Sequence, residues 1–218
     1  MSVNAMRMLA LDLSGGVAEA GLAVAGMRLH ARGREGAPHS TTLLPMLERL
    51  LSRGRIGWRD VDLFALVVGP GSFTGLRIAA ATLAGLNSAL QRPVVPLSAL
   101  AVTAIQCEAA GEVCVCEDAR AGACYFGRYR AGEACVPDAC LPWEQVLRMP
   151  PAPYAARQAL PVRLPGWRRV SLRLPRGVAM LRAASLRLAQ QDSLDALPRY
   201  PLPVYLQPSQ AERYARRS

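Results

Sequence analysis

The residues best placed to do chemistry in this 218-residue chain lie in one loop, Gly69-Pro70-Gly71-Ser72-Phe73-Thr74-Gly75. It follows the continuous apolar run Leu63 to Val68 and leads into a helical pattern from about Thr74 to Leu90. A glycine loop between a buried strand and a helix start presents free N–H groups and the positive end of a helix dipole, which favour an anion such as phosphate. The loop is not a lysine-bearing phosphate loop, and Thr74 stands where the third glycine of a dinucleotide fingerprint would be. The same glycines serve a tight structural turn equally well. Arg77, one turn into the helix, can pair with an anion or with a carboxylate. Asp12-Leu13-Ser14-Gly15, after a first apolar run, can hold a magnesium-bound nucleotide or cap its own turn. Asp118-Ala119-Arg120 can clamp a partner or neutralise itself.

Several chemistries are excluded. All 26 basic residues are arginine, so a phosphate-loop, Schiff-base or general-base lysine does not exist. His30 and His39 are the only histidines, without paired metal-ligand spacing, and no G-x-S-x-G elbow is present. The six cysteines form no C-x-x-C pair. Cys114 and Cys116 flank Val115 in a predicted strand and point to one face. Without a secretion signal the chain is expected in a reducing compartment, with structural thiols.

These residues need elements to position them. Met8 to Leu13 reads as a buried strand. A hairpin then returns through Val17 to Val24, and a third strand covers Arg28 to Arg32. Thr42 is the expected cap of a helix with Pro45 in its first turn and Gly54 at its end. Leu43, Leu47, Leu50 and Leu51 recur at helical spacing, with Leu44 and Met46 off that stripe. The next helix carries Ala80, Ala84 and Asn87 on one face and Leu76, Ala79, Leu83, Leu86 and Leu90 on a neighbouring one. Both helices therefore have apolar or small faces to spare, for deep burial or for a partner. Val94 to Leu97 reads as a strand, and Ser98 caps a helix to about Cys107. Strands alternating with helices after a meander indicate an α/β lobe. Val113 to Cys116 and Cys124 to Tyr129 read as strands of a second lobe. Eleven of the 17 prolines fall between Pro142 and Pro208, which predicts an irregular second half with one helix over Val178 to Gln191. No sequence repeat of fixed period is found, and no apolar run suits a membrane span.

The charge is uneven. Net charge is +10, and the stretch from Gln145 to Gln191 has no acidic residue but nine arginines. Such a block points to a phosphate-bearing partner or to a solvated face. The Arg157 to Arg187 segment is a candidate for direct RNA contact.

The chain resembles the bacterial tRNA threonylcarbamoyladenosine biosynthesis family TsaB, also called YeaZ. The resemblance rests on Leu9-Ala10-Leu11-Asp12-x-Ser14, His39-Ser40-x-x-Leu43-Leu44-Pro45-Met46, the stretch Gly69 to Arg77 and Asp118-Ala119-Arg120, with an echo at Pro203-Val204-Tyr205-Leu206. It implies an actin-like (ASKHA, ribonuclease H-like) α/β fold of two related lobes, the second reduced. The expected division is 1–100 for the first lobe, with about 195–218 packing back on it, and 101–194 for the second. The resemblance implies a non-catalytic, cytoplasmic subunit that binds a TsaD-type transferase together with a TsaE-type ATPase. No cofactor is then needed by this chain itself, while the complex uses ATP and magnesium and acts on tRNA. Protease activity and a metal site are not expected. The implied partner surface is the helix pair, with Leu43, Leu44, Leu47, Leu51, Leu76, Ala80, Leu83 and Asn87, and the same surface serves a homodimer. Asp12, Ser14, Gly69, Gly71, Ser72, Thr74 and Gly75 are candidates for a vestigial phosphate site. Leu13, Gly15 and Ala123 depart from the family pattern, as does Gln207 in the terminal Tyr205-Leu206-Gln207. The alternative is an actin-fold ATPase or kinase, with Asp12 holding magnesium and the Gly69–Gly75 loop on phosphate.

Overall fold

The computed structural model describes residues 6–207. The elements are β1 (Met8–Asp12), β2 (Glu19–Val24), β3 (Met27–Arg32), α1 (His39–Arg53), β4 (Leu63–Gly69), α2 (Phe73–Leu90), β5 (Val94–Ser98) and α3 (Ala99–Gln106). They are followed by β6 (Glu112–Arg120), β7 (Ala123–Arg130), β8 (Glu133–Pro142), α4 (Trp143–Leu147), β9 (Pro153–Ala155), β10 (Arg168–Arg169) and α5 (Arg176–Ala189).

The first sheet has the order β3-β2-β1-β4-β5. β1, β2 and β3 form an antiparallel meander, while β4 joins β1 and β5 joins β4 in parallel. Strand alternation divides its side chains into two cores. Leu9, Leu11, Phe64 and Leu66 face Leu43, Leu47, Leu50 and Leu83 of α1 and α2. Met8, Ala10, Leu63, Ala65 and Val67 face Ala179, Met180 and Ala183 of α5. The unbroken apolar run of β4 is the consequence of helices on both sides.

The second sheet, β10-β9-β6-β7-β8, repeats this topology. β6, β7 and β8 are the meander, β9 runs parallel to β6, and β10 runs parallel to β9. α4 takes the place of α1, no helix separates β9 from β10, and α5 takes the place of α3. The copy is reduced, with three residues in β9 and two in β10. The repeat escapes the sequence because equivalent positions share topology without sharing side chains. The final helices of the two repeats cross over. Leu100 and Ala104 of α3 pack on Val113, Val115 and Tyr129 of the second sheet. α5, drawn from the range assigned by sequence to the second lobe, lies on the first sheet. There the Gly21 and Gly177 backbones approach so closely that a Cβ on either would overlap the other strand or helix.

Two local expectations change. Thr42 does not cap α1. The cap position is Pro38, and the Thr42 hydroxyl donates to the Pro38 carbonyl at 2.8 Å from inside the helix. Pro45 is therefore well inside α1, where it forgoes a backbone bond on the exposed side. Met46 is buried beside the leucine stripe, so the apolar surface of α1 is chiefly core. β8, β9, β10 and α4 were not legible in the proline-rich half. Pro137 and Pro142 sit in β8, an edge strand, where a missing N–H is tolerated.

Candidate functional site

The two repeats meet at a cleft beside the ends of β1 and β6. Asp12 ends β1, is 1% exposed and directs one oxygen at the backbone N–H of Ser14 at 2.6 Å. Its other oxygen accepts from Nε of Arg176, the first residue of α5. Arg176 is itself buried and donates further to Thr103 Oγ1 and Gln106 Oε1, each at 3.0 Å, and to the Ala99 carbonyl at 3.1 Å. Each nitrogen of this guanidinium has a partner. Arg157 approaches from the second lobe. Its Nε donates to Glu117 Oε1 at 2.9 Å and Nη1 to Ser14 Oγ at 3.1 Å, with the Asp12 carboxylate 3.8 Å away. Two carboxylates thus face two guanidiniums. Burial pushes the Asp12 carboxyl upward, but Arg176 and Arg157 outweigh it and hold the group below the usual carboxylate range. Both arginines stay cationic, because a guanidinium does not deprotonate in proteins.

The glycine loop belongs to the same cleft. Gly69 and Gly71 have φ of 142° and 156°, and the Gly69-Pro70 peptide is cis. A Cβ at Gly71 would overlap the Ser14 carbonyl oxygen, and one at Gly75 the Leu13 carbonyl oxygen. The Ser72 N–H donates to Ser14 O at 2.8 Å, and Ser72 Oγ accepts the Gly75 N–H at 3.2 Å to cap α2. The Ser72 amide is thus turned onto the chain's own first turn, and the Gly75 amide onto its own cap. Thr74 lines the adjoining cavity of about 870 Å³, together with Ser14, Gly71, Ser72, Arg77 and Arg157. Among the described residues Arg77 meets no carboxylate. It lies 3.9 Å over the Phe73 ring and donates to the Tyr205 hydroxyl at 3.2 Å. Asp118 and Arg120 neutralise each other within their turn, with Nε and Oδ2 3.7 Å apart. A magnesium-bound nucleotide does not fit this donor set. Asp12 spends its oxygens on Arg176 and the Ser14 amide, and the loop spends the Ser72 N–H on Ser14 and the Gly75 N–H on Ser72 Oγ.

The helix residues expected to form a partner surface separate into two groups. Leu43, Leu47, Leu51, Leu76, Leu83 and Asn87 are buried within the chain. They are core, because the first sheet takes the stripe that periodicity alone leaves free. The Asn87 amide holds the Arg92 and Arg199 carbonyls at 2.8 and 2.7 Å. Leu44 remains 40% exposed, and Ala80 is half-buried. Sequence reasoning missed the outer stripe of α2, Ala81, Gly85 and Ala89, which is exposed; a Cβ at Gly85 would meet nothing within 4 Å. The three residues are four apart, a spacing that marks one helix face. The expected return of about 195–218 to the first lobe was not read as part of a partner surface, yet Tyr200, Leu202 and Val204 are exposed in the segment that borders α2. Gln91 donates to the Tyr200 hydroxyl at 2.9 Å, and Val204 N–H donates to Val68 O at 2.7 Å. Leu202, flanked by two prolines, is the signal that was available. Residues 208–218 of the expected C-terminal stretch lie outside the described residues.

The family model for TsaD, tRNA N6-adenosine threonylcarbamoyltransferase, matches residues 35–197. The tRNA threonylcarbamoyladenosine biosynthesis protein TsaB of Haemophilus influenzae is 33% identical over 126 residues, which are 56% of this chain and 53% of that protein. The Escherichia coli protein of the same name is 33% identical over 98 residues, 44% of this chain and 42% of that one. The chain thus spans about half the length of these curated relatives in the matched regions. Among solved structures, YeaZ from Pseudomonas aeruginosa superposes with a TM-score of 0.76 at 31% identity, covering 92% of this chain and 100% of that one. A second Pseudomonas aeruginosa structure, described as similar to the peptidase YeaZ, gives a TM-score of 0.76 at 29% identity, covering 93% of this chain and all of that one.

Proposed function

This chain belongs to the TsaB (YeaZ) family and has its actin-like fold, and from that premise we propose that it is a non-catalytic subunit in the formation of threonylcarbamoyladenosine in tRNA. It binds and supports a TsaD-type transferase in the cytoplasm, alongside a TsaE-type ATPase. ATP and magnesium serve the complex rather than this chain. The observation that carries the non-catalytic part is the pairing of Arg176 with Asp12, which occupies the carboxylate an actin-fold ATPase would need. The family resemblance supplies the transferase as partner. The working surface on this reading is the outer side of α1 and α2, with Leu44, Ala81, Gly85 and Ala89, continued by Tyr200 and Leu202. Small residues on α2 let a partner helix approach closely, and Leu44 and Leu202 supply apolar area. In the absence of the transferase a second copy of this chain covers the same surface.

Size-exclusion chromatography of the chain mixed with the transferase subunit of its own organism tests this. A stable one-to-one complex is expected. A well-folded chain that elutes alone overturns the subunit reading. ATP hydrolysis by the purified chain, abolished by Asp12→Ala, would restore the ATPase or kinase alternative.

A further inference from the structure

The acid-free segment 145–191 divides in the folded chain into arginines that are spent internally and arginines that are not. Arg157 and Arg176 are consumed by Glu117 and Asp12, and Arg182 pairs with Glu108 at 3.0 Å. Arg148, Arg163, Arg168, Arg169 and Arg173 are all exposed, and none has an acidic partner among the described residues, although Arg169 Nη2 donates to the Ala156 and Gln158 carbonyls at 3.1 and 3.4 Å. Backbone contacts bring them along one border of the second lobe. β10, which carries Arg168 and Arg169, is an edge strand with β9 as its only neighbour in the sheet among the described residues. Arg163 enters the turn that leads into it, closed by the Trp167 N–H on Leu164 O at 3.2 Å. Arg148 ends α4, whose Val146 packs in the same cluster as Leu164 and Trp167. Arg173 follows β10 and is fixed by its N–H on Gln106 O at 2.7 Å. Strand alternation turns the Arg169 N–H to the open edge, since Arg168 and Val170 donate inward to Ala152 and Tyr154. Trp167 is half-buried there, edge-on to Tyr154 at 6.3 Å between centroids.

Guanidinium groups in excess over carboxylates, a free backbone donor and a partly open indole are the chemistry that grips phosphates and stacks on an unpaired base. We infer that the β10 edge is an RNA-contacting surface, which binds a polyphosphate backbone through Arg163, Arg168 and Arg173 with Arg148 and Arg169 at its margins. The choice of tRNA as the nucleic acid rests on the function proposed above; the surface itself does not.

The test is fluorescence anisotropy of an unmodified tRNA transcript titrated with the full chain at 50 and 200 mM salt. Five phosphate contacts would weaken binding roughly 500-fold over that range, and two contacts only about 12-fold. The triple variant Arg163→Gln/Arg168→Gln/Arg173→Gln is expected to move from the first behaviour to the second. A charge-matched control, Arg28→Gln/Arg34→Gln/Arg49→Gln, alters exposed arginines of the first lobe. If both triples lose affinity and salt slope equally, only net charge acts and the inference fails. It fails also if the chain binds phosphatidylglycerol vesicles through this edge but does not bind tRNA. Trp167 fluorescence quenched by tRNA in the unaltered chain and not in the β10 triple supports it. Association with the transferase subunit, measured separately on the same triple, is expected unchanged. A chain that ignores the transferase yet binds tRNA through β10 refutes the subunit reading and leaves this inference standing.

Discussion

Replacing Arg176 by methionine tests the cleft most directly. Methionine keeps the length and volume of the buried stem and removes the charge. Asp12 would then be a carboxylate with 1% exposure, holding only the Ser14 amide and Arg157 at 3.8 Å. Thr103 and Gln106 would lose the Arg176 donor as well, while the Ala99 carbonyl would keep the Thr103 hydroxyl at 3.0 Å. Removing one member of a buried pair typically costs about 3–5 kcal/mol, because the other charge stays desolvated. For a domain of this size each kcal/mol shifts the midpoint by about 2–4 °C, so the variant should melt roughly 6–20 °C lower. The double variant Asp12→Asn/Arg176→Met removes both charges and should recover about 2–3 kcal/mol of the loss, a coupling of the size that contacting pairs show. Sign matters in the pH profile. With Arg176 gone, burial raises the Asp12 pKa, so protonation relieves the strain. The deficit against the unaltered chain should shrink as pH falls from 7 toward 5. Urea denaturation of the four chains of this cycle at both pH values measures all of it. If single and double losses simply add, or the single variant melts within about 2 °C of the parent, the pair does not close the cleft.

Gly85→Arg should leave melting unchanged or slightly raised, since the site is open and glycine is a poor helix former, while weakening association with the transferase at least tenfold by gel filtration or calorimetry. Leu47→Asp or Leu83→Asp should instead unfold the chain, seen as lost circular dichroism, because both residues are core. Gly75→Ala should cost about 1–3 kcal/mol in urea denaturation, because its Cβ meets the Leu13 carbonyl on a backbone that cannot yield freely. Asp12 and Asp62 both have lowered carboxyl pKa values, Asp62 through the Arg7 hydrogen bond first. Their contribution is present above the unfolded carboxylate pKa and is lost as pH falls through the lower folded values, so acid melts below about pH 4 should steepen. Glu19, raised by burial, opposes this modestly over the carboxylate range.

Elements whose burial is complete on both faces or periodic on one are legible in the residues alone. The run Leu63 to Val68 read as a doubly covered strand, and β1, β4, α2 and α3 follow from such local patterns, α3 with its cap at Ser98, whereas the Ser72 cap of α2 emerged only in the fold. The glycine loop was legible as a loop but not in purpose, since spacing does not say whether its amides meet phosphate or a neighbouring carbonyl. Only the fold showed that the Ser72 amide meets the Ser14 carbonyl. Arg176 read as one charge of a run suited to a phosphate-bearing partner or to a solvated face, and it became the partner of Asp12 because α5 crosses to the first sheet, 164 residues away along the chain. The leucines of α1 and α2 read alike, and the sheet decided which of them it would bury and which it left at the surface. In each case the missing information was a long-range contact. Local propensity and periodicity report what a segment can bury or bind, whereas the neighbour that satisfies it is chosen by the packing of distant elements.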